Sequence, residues 1–155
     1  MTAEDRLKAL GLQLPAAPAA VADYRPWSRV GNLVITAVQL PFRDGTLAYA
    51  GRLGEQISVE DGQQAARLCA LNAIAQLKSA AGDLENIVQI VRLEGNVHAA
   101  PGFVDHPQVL NGASLLMREV FGDRNRHSRT ALGMASMPLG AAVQLSVWAE
   151  IRDGA

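Results

Sequence analysis

The stretch from Ser58 to Gly82 constrains this chain more than any other. Seven of its residues are alanine (65, 66, 70, 73, 75, 80 and 81), and Leu68, Cys69, Ile74 and Leu77 recur among them at helical spacing. Ser58, followed three positions later by Asp61, is a capping-box-like start, and Gly82 is a helix stop. A long helix whose packing side is mostly methyl groups can bring its backbone close to a flat partner. The rest of the chain therefore has to supply a sheet.

The flanking segments read as that sheet. In 30–41, Gly31-Asn32 is a hairpin turn, Leu33 to Val38 is rich in β-branched residues, and Pro41 closes the strand. Asp44-Gly45 marks a second turn with a short strand after it, so the first third is a β-meander. Residues 84–97 alternate Ile87, Ile90 and Leu93 with valines and polar residues, as in a strand partly buried on both faces. Asp105 is a plausible N-cap, with Pro107 in the first turn of a second helix that ends at Phe121-Gly122. A strand over 129–135 is broken at Pro138 and Gly140. The last strand, Val143 to Ile151, puts Val143, Leu145, Val147, Ala149 and Ile151 on one face and Gln144, Ser146, Trp148 and Glu150 on the other. Ahead of all this, residues 3–11 form a short amphipathic helix with Leu7, Leu10 and Leu12. It leads into a proline–alanine connector, so 1–22 is an appendage to one domain, 23–155. The order β-β-β-α-β-α-β-β predicts an α+β fold, a mixed sheet with two helices packed on one face. Its other face would then be apolar and exposed in a monomer, which marks an interface.

Charge excludes one class of partner. With 14 Lys+Arg against 15 Asp+Glu, the chain has no basic stripe for nucleic acid, and its basic residues cluster only at Arg124, Arg126, His127 and Arg129. No apolar run approaches the ~20 residues that span a bilayer, and the acidic N-terminal stretch is not a signal peptide. The single cysteine, Cys69, can form no internal disulfide; it reads as an inert core thiol in a cytoplasmic protein. His98, Asp105 and His106 match no standard ligand spacing, so no metal is expected. No GxSxG, P-loop or GxGxxG occurs.

Four segments together carry a family resemblance. "GNLVITAVQLP" (31–41), "SVEDGQQAARLCALNAIAQLKSAAGDLENIVQIVRLEGNV" (58–97), "VLNGASLLMREVFG" (109–122) and "RHSRTALGMASMPLGAAVQLSVWAEI" (126–151) follow one another as in the YjgF or Rid family, the reactive-intermediate deaminases often labelled endoribonuclease L-PSP. The likeness runs over residues 24–151 and resembles most a longer subgroup with an N-terminal helix. It implies a chorismate-mutase-like fold assembled as a homotrimer, with clefts for small imino or keto acids between subunits. It further implies hydrolysis of enamines or imines to ketones and ammonia without metal or organic cofactor. The ribonuclease label finds no support in the charge balance.

The resemblance also assigns residues. Arg129 matches the arginine that holds the substrate carboxylate, a role suited to a planar fork that stays charged; read from the sequence alone, it could equally solvate a strand start. Gln144 stands where the family has a water-activating glutamate. An amide can orient water but cannot take its proton, so small-carboxylate binding without catalysis is the alternative. Ala131 replaces a common cysteine, and Val38 replaces the glycine of a Ser-Gly-Gln stretch, narrowing any cleft it lines. Asn111 matches a helix asparagine, or else bonds helix to loop. Trp27 stands near a family tyrosine and either walls the cleft or shields a sheet edge. His127, two residues before Arg129, shares its strand face if the strand extends that far, and either shuttles a proton or packs.

Overall fold

A computed structural model describes every residue except 20 and 21, so those two positions of the expected connector lie outside the described residues. The elements run α1 (Ala3–Ala9), β1 (Trp27–Val30), β2 (Leu33–Thr36), β3 (Phe42–Arg43), β4 (Thr46–Leu47), α2 (Val59–Ala81), β5 (Ile87–His98), α3 (His106–Phe121), β6 (Asn125–Met134) and β7 (Val143–Ile151). Five strands form one sheet in the order β1-β2-β7-β5-β6. Only β5 and β6 pair in parallel, joined through α3; the other neighbours are antiparallel. β7 lies between β2 and β5, which is the split βαβ arrangement that the element order predicts.

Local chemistry explains most boundaries. Ser58 caps α2 by accepting the Asp61 N–H at 3.1 Å, whereas the reciprocal capping box closes at α1, between Thr2 and Asp5. Asp44 and Gly45 both take positive φ, 51° and 76°, as a two-residue turn between β3 and β4 requires. These two strands form a separate ribbon.

Four boundaries differ from the sequence reading. Strand β5 starts at Ile87 rather than 84, because Leu84–Asn86 form a 3-10 turn that Asp83 caps. Helix α1 stops at Ala9. Strand β6 starts at Asn125 rather than 129, because its polar first residues face α3. Regular pairing of β2 ends at Thr36: the register slips by one residue between Ile35↔Trp148 and Gln39↔Leu145. That bulge turns Val38 outward, where it is 45% exposed.

Helices α2 and α3 cover one face of the sheet. Ala65, Ala66, Cys69, Ala73, Ile74 and Leu77 pack there against Val34, Ile90, Leu93, Val143, Leu145 and Val147, all fully buried. Two glycines permit the close approach. A Cβ on Gly112 would stand 2.0 Å from the Gln63 carbonyl oxygen of α2, and one on Gly95 would stand 2.1 Å from Leu110 Cδ1. Arg67 and Glu119 bridge the two helices at 2.7 Å. Helix α1 packs on the same body: Leu7 is buried, Glu85 accepts the Ala3 N–H at 2.8 Å, and Glu4 pairs with Lys78. Arg124 is a structural clamp, donating to the Leu84 and Ile87 carbonyls and to Glu85.

The uncovered face is mixed, not uniformly apolar. Arg92, Glu94 and Asn96 alternate along β5, with Arg92 Nε donating to Glu94 at 2.9 Å, and Gln144 and Ser146 continue the polar set on β7. Ile35, Trp148, Leu132 and Met134 supply its apolar part. No described helix is long and apolar enough to cross a membrane.

Candidate functional site

Alternation along β6 decides which side chains meet. Arg129 pairs with Leu93 and Ala131 with Gly95, so His127, Arg129 and Ala131 point to the helix-covered face beside α3. On α3, Asn111, Ser114, Leu115 and Arg118 form a stripe at i, i+3, i+4 and i+7 along the same seam. Arg129 Nη1 donates to Asn111 Oδ1 at 2.9 Å and to Ser114 Oγ at 3.0 Å, and Nη2 donates to the Pro107 carbonyl at 3.3 Å. A guanidinium has five N–H donors, so two stay uncommitted among the described residues. Partial burial lowers the Arg129 pKa from its ordinary value.

His127 continues the network. Its Nε2 lies 3.0 Å from Ser114 Oγ and its Nδ1 lies 2.6 Å from Asn125 Oδ1. Burial first, and the Arg129 charge second, push the His127 pKa below its ordinary value, favouring the neutral ring. Together these residues border a hollow of about 390 Å³ lined by Asn111, Ser114, Leu115, Arg118, Asn125 and His127.

A second hollow, of about 450 Å³, lies elsewhere. Val38 and Gln144 line it with Tyr24, Gln39, Asn72 and Gln76. Its walls are mainly apolar, and Asn72 Nδ2 is held by the Leu40 and Phe42 carbonyls at 3.0 Å each. The bulge at Ala37-Val38 is what presents this wall.

The structure thus brings Arg129, Asn111 and His127 together, with Ala131 next along the same strand face and packed against the core. It puts Val38 and Gln144 together in the other hollow. Within one chain the two groups do not meet. Gln144 pairs with Asn96 on the uncovered face, whereas Arg129 pairs with Leu93 on the covered one. Trp27 lies on β1, the opposite edge strand from β6, and packs against the buried cluster. Tyr24, three residues earlier, and Phe42 are the aromatics that line the second hollow. Ser114, Arg118 and Asn125 were missed from sequence; the polar i, i+3, i+7 stripe 111-114-118 was the available signal. Among the described residues no three His, Cys, Asp or Glu converge as metal ligands. Cys69 is buried with its thiol pKa pushed up by desolvation, and its Sγ donates to the Val143 carbonyl at 3.6 Å.

Comparison with known proteins agrees with the fold. A family described as "YjgF/chorismate mutase-like, putative endoribonuclease" matches residues 4–151. Protein TCP17 of Trypanosoma cruzi is 38% identical over 148 residues, covering 95% of this chain and 92% of its own length. The crystal structure of a protein from Shewanella oneidensis, described as a putative endoribonuclease, superposes with a TM-score of 0.95 at 44% identity, covering 97% of this chain and all of that one. Escherichia coli TdcF, solved with bound serine, shares the fold at a TM-score of 0.62 and 20% identity, over 89% of this chain and 94% of its own.

Proposed function

This chain belongs to the YjgF/chorismate mutase-like family, and from that premise we propose that it binds small imino or keto acids through Arg129, in clefts completed by a second copy of the chain within a homotrimer. The observation that carries this reading is the separation of Arg129 from Gln144 onto opposite faces of one sheet. Lateral spacing adds about 10 Å across two strand intervals. A ligand of a few heavy atoms cannot touch both groups inside one protomer, but it can if the neighbour supplies the Gln144 hollow.

The chemistry follows from the residues. Asn111, Ser114 and the Pro107 carbonyl hold the guanidinium, so little rotamer freedom is lost when its remaining donors take a carboxylate. The carboxylate fixes the C=N carbon, and Gln144 of the neighbouring copy orients a water toward it. The serine bound by TdcF is an amino acid with such a carboxylate. The second reading, binding without turnover, is favoured by one observation: the Gln144 amide has no proton-accepting carboxylate to activate that water.

Titration calorimetry with 2-oxobutyrate tests the anchor. Charge-assisted hydrogen bonds contribute about 1.5–3 kcal/mol each, so Arg129→Ala should weaken binding by roughly 30-fold or more while leaving the oligomer intact. Unchanged affinity removes Arg129 from the site. Ammonia release from 2-aminoacrylate generated in situ then separates the two readings: release above the buffer rate supports turnover, and none supports binding alone.

A further inference from the structure

We propose that Ser114, His127 and Asn125 form a nucleophile–base–orienter relay in the hollow between α3 and β6, suited to acyl transfer from small esters or thioesters whose acyl group carries a carboxylate. The hydrogen-bond pattern has one consistent assignment. A carboxamide oxygen only accepts, so His127 Nδ1, 2.6 Å from Asn125 Oδ1, must carry a proton. In the neutral ring Nε2 is then bare. Arg129 only donates, so Ser114 Oγ accepts from Nη1 at 3.0 Å and its own hydrogen is left for Nε2, also at 3.0 Å. A serine hydroxyl bonded to an oriented imidazole is the arrangement of an activated nucleophile. The guanidinium beside Oγ also stabilises the developing alkoxide.

Burial and the Arg129 charge both keep the ring unprotonated, as a base must be. The lining explains the substrate class. Among the described residues no acidic side chain borders the hollow; Arg118 lies one helical turn beyond Ser114, and Arg129 lies beside it. An anionic acyl group fits two cations and no opposing charge. A volume of about 390 Å³ admits a small acyl group.

The step balances within these groups. Ser114 Oγ bonds to the acyl carbon as His127 Nε2 takes its proton. That proton passes to the leaving alcohol or thiol as the carbon–oxygen or carbon–sulfur bond breaks. Water, giving its proton to the same nitrogen, then adds to acyl-Ser114 and releases the free acid, and the proton returns to Oγ. This reaction needs neither Gln144 nor a second copy, so it stands or falls apart from imine binding.

The test is covalent labelling of the full-length chain with a fluorophosphonate probe, read by peptide mass spectrometry. The expected result is an adduct on Ser114 whose rate of formation falls about 100-fold or more in His127→Gln. Mono-p-nitrophenyl succinate should release nitrophenol in a burst equal to the protein concentration. If a variant does not fold, as judged by circular dichroism, Ser114→Cys provides the second measurement. Its alkylation by iodoacetamide at neutral pH, with His127 intact, should be at least tenfold faster than that of free cysteine. An unlabelled Ser114 in folded protein, labelling indifferent to His127, or equal alkylation rates each overturn the relay.

Discussion

A composite site between copies predicts that two separately defective chains can repair each other. Arg129→Ala removes the carboxylate anchor. Gln144→Trp fills the other half of the cleft with a bulky ring. Each variant alone should lose 2-oxobutyrate binding. Within a protomer Arg129 and Gln144 lie on opposite faces, and their partners on β5, Leu93 and Asn96, are three residues apart, which adds about 10 Å along the strand to the roughly 10 Å across it. In the cleft we propose, Arg129 therefore comes from one copy and Gln144 from the next. In a cyclic assembly mixed at random from equal amounts of the two variants, each half of a cleft is intact with probability one half, so about a quarter of the wild-type sites return. Co-expression with two affinity tags yields the mixed oligomers, native mass spectrometry gives their composition, and calorimetry counts the sites. No recovered sites in verified mixed oligomers would refute the shared cleft, because a site contained within one chain cannot be rebuilt by mixing.

Three further outcomes are expected. Gln144→Glu restores a proton acceptor and should raise imine hydrolysis about 100-fold; an unchanged rate means the deficit lies elsewhere, with Val38 the next residue to reduce. Gly112→Ala sets a methyl 2.0 Å from the Gln63 carbonyl, so α2 and α3 must separate. Because the clash is with backbone, overpacking of about 3 kcal/mol, offset by about 1 kcal/mol of helix propensity, should lower Tm by roughly 4–8 °C, and an equal or higher Tm in a calorimetric scan contradicts the close approach. His127 has a folded pKa below its ordinary 6.5; as pH falls below that value the unfolded chain binds a proton that the folded ring resists. Stability should therefore decline from pH 6.5 downward, with a slope that His127→Gln reduces in urea titrations; an unaltered slope removes His127 as a source.

The fold was legible wherever periodicity had one cause. β7 alternates because β2 and β5 flank it and α2 covers one face: Val143, Leu145, Val147, Ala149 and Ile151 are buried there, and on the other face only Ser146 is buried, donating to the Thr36 carbonyl. The alanines of α2 announced close packing, and Gly95 and Gly112 complete that packing from the other side. What stayed hidden depends on partners. The bulge at Ala37-Val38 exists only in register against β7, and nothing in the string of β-branched residues marks it. Asn125 to Ser128 read as loop because an edge strand facing a polar helix seam has no apolar alternation. Arg129 and Asn111 came through the resemblance, whereas Ser114 was lost inside an apolar helix. Trp27 also came through the resemblance, although Tyr24 and Phe42 are the aromatics at a hollow.

The two edges of the sheet are not equivalent, and the difference joins assembly to the site. β1 has four residues, and Arg29 on it bonds back to the Gly31 carbonyl and to the C-terminal residue. β6 has ten residues, pairs only with β5, and carries neither lysine nor proline, the usual guards of a free edge. Leu132 and Met134 are 59% and 41% exposed on it. Arg126 and Arg129 charge its first half, but residues 130–134 carry no charge. Arg129 sits on the same strand, three residues before Leu132, so whatever pairs with or packs over β6 also closes the open side of the guanidinium. Leu132→Lys guards the edge without touching Arg129, Asn111 or Ser114. It should reduce both the assembled mass, measured by light scattering, and the affinity for 2-oxobutyrate. A monomeric variant that binds as tightly as the parent would separate the two events and leave the anchor complete within one chain.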